Sequence, residues 1–132
     1  MLGVDGLIHL YWATGATWPA GDRGTLSYAV LGADVPFTPG VLLPLAALLF
    51  GGAATVALRA RHPLLRYGTV AVGAGLTLRT LAGLAWMTVL DTDAPDGSAF
   101  HWLNPVLYTP LCAVLAAASF AAVRREDSPR AA

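Results

Sequence analysis

Lysine is absent from this chain, cysteine occurs once, and charged residues of any kind make up only 12% of it. Each shortage excludes something. One thiol, Cys112, forms no internal disulfide and no Cys-x-x-Cys redox pair, which argues against a membrane thiol oxidoreductase. All eight basic residues are arginine, a bias that reads as genomic base composition, and they balance eight acidic ones. A net charge of zero provides no basic field for nucleic acid. No phosphate-binding loop, nucleophile elbow or metalloprotease motif occurs. His9, His62 and His101 lie too far apart in the expected topology to share a metal or a haem, so no cofactor is expected. Asp91, Asp93 and Asp96-Gly97 lack the spacing and the closing glutamate of a calcium hand, and read as a solvated acidic loop. No basic region precedes the first apolar stretch, so that stretch does not read as a signal peptide.

What is present is apolar surface. Hydrophobic residues make up 56% of 132 residues, and soluble domains carry about twice this charge fraction. A single domain of this length cannot hide so much apolar surface, but a bilayer can. A span needs about 20 apolar residues. Segments 38–58, 67–90 and 105–123 meet that length, with Thr38 and Asn104 as caps and Pro39 and Pro105 in the first turns. Segment 2–18 is near the lower limit and contains Asp5 and His9. Either its true start lies upstream, or the helix is short and Asp5 sits near the membrane surface.

The expected fold class is therefore all-α, an integral membrane four-helix bundle occupying residues 1–123, with 124–132 as a frayed cytoplasmic tail. Arginine placement orients it. Arg59, Arg61 and Arg66 join the second and third spans, and Arg124, Arg125 and Arg130 follow the fourth. The loop 19–37 has only Arg23, and 91–102 has none. Both termini are thus expected in the cytoplasm, in a multi-pass protein of the plasma membrane, the inner membrane of a bacterium. Trp18, Phe37, Trp86, Phe100 and Trp102 gather where interfacial aromatics belong. Glycines and alanines in the spans allow close helix approach, and Pro44 and Pro110 each free a backbone carbonyl and bend a helix.

Polar residues within the spans are the candidate site. Arg79 lies near the middle of the third span, where insertion costs at least roughly 2.5 kcal/mol. Gly75 and Gly83, four residues to either side, leave room for a guanidinium or for something bound to it. Arg79 reads either as an anchor for an anion or polar headgroup, or as a structural group bonded to carbonyls freed by Pro44 or Pro110. Asp5, His9 and Trp12 share one helical face. Depth allows an Asp5–Arg79 pair, and a bond from His9 to Asp5, also allowed, would fix the imidazole tautomer. These groups read as an acid–base pair or as an interhelical hydrogen-bond network. Tyr108 points its hydroxyl into the bundle or anchors the interface.

Three stretches together carry a resemblance. They are His9-Leu10-Tyr11-Trp12-Ala13-Thr14-Gly15 with Trp18, then Leu78-Arg79-Thr80-Leu81, then Leu107-Tyr108-Thr109-Pro110-Leu111-Cys112. The chain resembles the bacterial membrane family known as domain of unknown function 3995, small four-span proteins with a His-x-x-Trp-Ala-x-Gly start and a Leu-Tyr-Ser-Pro-Leu-Cys-like fourth helix. By that resemblance His9, Trp12, Gly15, Arg79, Tyr108 and Pro110 occupy motif positions. Where a Gly-Asp-Phe-like run is expected after the arginine, this chain has Ala82-Gly83-Leu84, so an acidic neighbour for Arg79 is missing. The resemblance implies an architecture and no activity.

Three functions fit these residues. The first is a non-catalytic module that binds a membrane lipid, a small amphipathic ligand or a partner membrane protein through Asp5, His9, Trp12, Arg79 and Tyr108. The second is a small membrane enzyme, isomerase-like, in which His9 or Asp5 moves a proton on a lipophilic substrate. The third is a transporter or channel subunit, which requires a homo-oligomer.

Overall fold

Why the chain breaks where it does is set by proline, glycine and caps. The computed structural model describes residues 1–127, and these are helical without strands. Helix α1 covers Leu2–Ala13 and stops before Gly15, whose φ of 96° is the left-handed region that favours glycine. Helix α3 covers Pro39–Leu58, with Pro39 in the first turn where a missing N–H costs nothing. Thr38 stands at its N-cap, but its side chain makes no capping bond. A 3₁₀ turn, Arg59–Arg61, and extended His62 lead into α4, Pro63–Thr88, which also begins on proline. Helix α6 covers Thr109–Asp127.

The long helices alternate in direction along the chain. On α1 and α3, Leu2 approaches Gly52 and Gly6 approaches the Phe50 ring. On α3 and α4, Gly52 approaches Val72 and Gly68 approaches Thr55. On α4 and α6, Gly73 approaches Phe120 and Gly83 approaches Thr109. Each pair runs antiparallel, and each contact uses a glycine to bring backbones together. One end of the molecule therefore collects Arg59, Arg61 and Arg66 beside the last turns of α6, where Val123 lines one hollow with Pro63, Arg66 and Tyr67.

Three helices, over Pro39–Arg61, Pro63–Thr88 and Phe100–Arg125, are long and apolar enough to cross a membrane. Large apolar side chains on them face outward, including Leu48 at 72% exposure and Leu78 at 68%. A soluble protein would not leave contiguous patches of this kind in water. This is a helical multi-pass membrane protein. Helix α1 has 12 residues, about 18 Å at 1.5 Å per residue, and lies along α3.

The opposite end carries a small folded cap that sequence reading takes for loop. Helix α2, Arg23–Leu31, begins at Asp22, whose Oδ1 accepts from the Thr25 N–H at 2.9 Å and whose Oδ2 accepts from the Thr25 hydroxyl at 2.7 Å. Gly32 ends it at φ 70°. Ser27 is fully buried; its hydroxyl donates to the Ala33 carbonyl at 2.7 Å and accepts from the Val35 N–H at 2.8 Å. Trp12, Leu26, Phe37 and Leu42 form the cap's core. Phe37 and Phe100, expected as interfacial aromatics, are instead buried, because the cap closes over them. Trp18 and Trp102 remain exposed.

The fourth apolar segment also starts differently. Asn104 is not the N-cap of a new helix. Helix α5, Phe100–Leu103, leads into a π turn, Asn104–Tyr108, and then directly into α6. Pro105 lies within this turn and Pro110 just beyond it in α6, and neither can donate; the Thr109 N–H bonds to the Asn104 carbonyl five residues back. At its far end α6 continues through Asp127, so residues 124–127 of the expected tail are helical; 128–132 lie outside the described residues.

Candidate functional site

Arg79 sits roughly 24 Å along α4 from Pro63, well inside the span. Its guanidinium meets the side-chain oxygen of Asn104 through Nη1 and Nη2, each at 3.4 Å. These are long bonds, because N–H···O distances cluster near 2.9–3.0 Å. Beneath it lies the Trp86 ring, 5.3 Å from guanidinium carbon to ring centroid, a cation–π contact. Trp86 is held in turn by an edge-on contact with buried Phe100 at 5.7 Å. The support for Arg79 thus runs into the cap.

Asn104 is the only carboxamide side chain in the sequence and is 2% exposed. Its Nδ2 donates to the Gly83 carbonyl at 2.9 Å, which fixes the flip of the amide and turns Oδ1 towards Arg79. That oxygen also accepts from the Thr109 hydroxyl at 3.2 Å. The π turn aims Asn104 across the α4–α6 contact, a place where such turns often carry function. Gly83 makes the approach feasible. A Cβ there would collide with the Thr109 hydroxyl and lie 3.1 Å from both Arg79 Nη1 and Asn104 Oδ1. The room at Gly83 is therefore filled by Asn104 and Thr109. Gly75 differs: it is exposed, and nothing lies within 4 Å of where its Cβ would be.

The Asp5–Arg79 pair that depth allows does not form among the described residues. The Asp5 carboxylate instead lies near His9 on its own helix, 3.6 Å from Oδ1 to Nδ1, an ion pair only when the ring is protonated. The shorter contact of His9 Nδ1, 2.9 Å, is with the Asp5 backbone carbonyl. A carbonyl only accepts, so Nδ1 carries the proton and Nε2 of the neutral ring is bare. Nor does a carbonyl freed by Pro44 or Pro110 appear among the acceptors of Arg79.

Trp12 is 8% exposed and belongs to the cap core. Its indole N–H donates to the Trp18 carbonyl at 3.0 Å, and its ring lies 5.5 Å from His9 and 5.7 Å from Phe37. Tyr108 is half-buried at the end of the π turn. Tyr108 and Cys112 lie one turn apart on the same face of the helix, and Asp5 and His9 lie one turn apart on α1, which packs along α3.

Sequence reading finds Arg79 but misses Asn104, Thr109 and Trp86 as its partners. The signal for Asn104 was available: a lone carboxamide in an apolar segment needs a buried partner. Its match with a residue 25 positions away was not.

No curated protein and no solved structure matches the chain. One family model does, over residues 2–119, nearly the whole length that carries the helices and the Arg79 site, and by it the chain belongs to the family described as "Protein of unknown function (DUF3995)".

Proposed function

We propose that this protein is a four-span, non-catalytic module of the plasma membrane, with both termini in the cytoplasm, that binds an amphiphile with an anionic headgroup between α1, α4 and α6. The observation that carries this reading is the poor neutralisation of Arg79. A guanidinium has five N–H donors, and in the described residues two of its nitrogens share one neutral oxygen at 3.4 Å. No carboxylate pairs with it there. A charge at this depth ordinarily faces a partner of opposite sign or a ligand. Tyr108 and His9 supply further polar contacts, and Trp86 braces the cation from beneath. The grouping of arginines at one end supports the orientation.

Native mass spectrometry of gently extracted protein tests this, comparing wild type with Arg79→Leu and checking the fold of each by circular dichroism. An acidic lipid or other anionic amphiphile retained by wild type and lost from an equally folded variant supports the anchor. Equal retention by both removes it.

One observation favours a second reading, a small membrane enzyme. Because His9 Nδ1 donates to the Asp5 carbonyl, its Nε2 is left as the ring nitrogen that could take a proton from a substrate, with Arg79 to stabilise developing negative charge. In that case His9→Gln loses turnover on a lipophilic substrate and keeps both fold and bound ligand. Loss of thermal stability instead makes His9 structural.

A further inference from the structure

A second place in the molecule joins charge to apolar surface, at the opposite end of the spans from the cap. Where α3 turns into α4, a hollow of about 230 Å³ is lined by Arg59, Ala60, Arg61, His62, Pro63 and Arg66. None of the lining residues is acidic. Beside it lies a second hollow of about 240 Å³, lined by Pro63, Arg66, Tyr67, Val70 and Val123. Pro63 and Arg66 belong to both, so the two form one continuous depression that is basic at the turn and apolar along the helix. Neither half has the 300 Å³ or more typical of a site for a whole drug-sized molecule.

The local structure explains the arrangement. The 3₁₀ turn and the extended backbone at His62, φ −156°, swing residues 59–62 around the start of α4. Arg61 and His62 are exposed. His62 Nδ1 accepts from the Leu64 N–H at 3.2 Å, so the neutral ring carries its proton on Nε2 and presents a donor outward. Arg59 donates from Nη1 to the Val56 carbonyl at 2.8 Å, which ties its charge to the end of α3. Tyr67, one turn into α4, is 73% exposed and faces away from the protein core.

We infer that this depression binds one anionic phospholipid, with its phosphate headgroup against Arg61 and His62 in the field of Arg59 and Arg66. Its acyl chain lies along Tyr67, Val70 and Val123. The amphipathic match decides between lipid and soluble phosphate. A free phosphate compound uses only the basic half, whereas a phospholipid uses both, and basic hollows of this kind at the ends of transmembrane helices suit acidic headgroups. The site is separate from Arg79 and does not depend on any ligand there.

The test uses the full chain in mild detergent, with phosphatidylglycerol and phosphatidylcholine of identical acyl chains titrated in and bound lipid counted by native mass spectrometry. Wild type is expected to retain one phosphatidylglycerol in preference to phosphatidylcholine. Arg61→Gln, at an exposed position outside any core contact, is expected to lower that preference about fivefold, the factor for one juxtamembrane cation. Arg79→Leu is expected to leave it unchanged. Soluble glycerol phosphate at the same concentration is expected to displace little lipid, since it lacks the tail. Equal retention of the two lipids overturns the inference. So does an undiminished preference in Arg61→Gln, and so does full displacement by glycerol phosphate, which would make the hollow a soluble-phosphate site.

Discussion

Asn104 and Gly83 are locked together across the α4–α6 contact: the carboxamide Nδ2 donates to the glycine carbonyl at 2.9 Å. This one bond orients the oxygen that Arg79 and Thr109 both use. The polar centre of the membrane region therefore depends on a residue without a side chain on one helix and a π turn on the other.

Gly83→Ala tests the close approach. Its Cβ has no room beside Thr109, Asn104 and Arg79, so the helices must shift. Overpacking of this kind costs about 1–3 kcal/mol. The thermal midpoint in detergent is expected to fall for Gly83→Ala and to hold or rise for Gly75→Ala, whose Cβ enters open space. Equal midpoints would mean that α4 and α6 do not pack through Gly83.

Asn104→Leu removes the acceptor of Arg79 and leaves the Gly83 carbonyl and the Thr109 hydroxyl without their partner. Hydrogen bonds to a charged group contribute about 1.5–3 kcal/mol, and long ones less. Unfolding in denaturant is expected to show a loss of about 1–3 kcal/mol, within the range for stranding buried polar groups. A neutral result would make the network dispensable.

The cap gives two further expectations. Gly32 combines φ 70° with a Cβ position only 2.7 Å from a Phe100 ring carbon, whereas Gly97, φ 82°, has nothing within 4 Å. Both alanine variants strain the backbone, by roughly 1–2 kcal/mol, but only Gly32→Ala also displaces Phe100. Limited proteolysis is expected to cut the cap of Gly32→Ala faster than that of Gly97→Ala, and the reverse order would contradict the packing.

Asp22 supplies a pH dependence. The Thr25 backbone N–H and the Thr25 hydroxyl, both donating to its carboxylate, hold its pKa below the ordinary 3.8, with the Gly24 N–H adding to them against slight desolvation. A depressed pKa contributes stability above the unfolded value, and that contribution is lost as pH falls through the folded value. The start of α2 is thus expected to stay closed above pH of about 4 and to loosen below it. The amide shift of Thr25, followed by NMR from pH 6 to 3, reads this directly, and Asp22→Ala should abolish the transition. A transition that persists in the variant would assign it elsewhere.

Much of this was legible in the sequence. Length and apolarity disclose α3, α4 and α6, because a span is defined by both. Arg79 stands out because a charge in such a run has no ordinary place. Helix α2 was missed because its nine residues are too few and too polar to register as a span, although Asp22 before Thr25 and Gly32 after Leu31 are its start and stop signals. Asn104-Pro105 reads as a cap followed by a first-turn proline; the chain is already helical at Phe100, and the π turn turns Asn104 sideways. Charge points Arg79 towards Asp5 and the prolines point it towards freed carbonyls, but the molecule uses the side-chain oxygen of Asn104, brought close by tertiary packing.

Asn104→Asp gives Arg79 an internal countercharge in a side chain of the same size, at the cost of the bond to the Gly83 carbonyl. In native mass spectrometry beside wild type, with the fold of both verified, the aspartate variant is expected to lose an anionic amphiphile that wild type retains. A folded Asn104→Asp that holds the same ligand as wild type would contradict the claim that Arg79 anchors an anion.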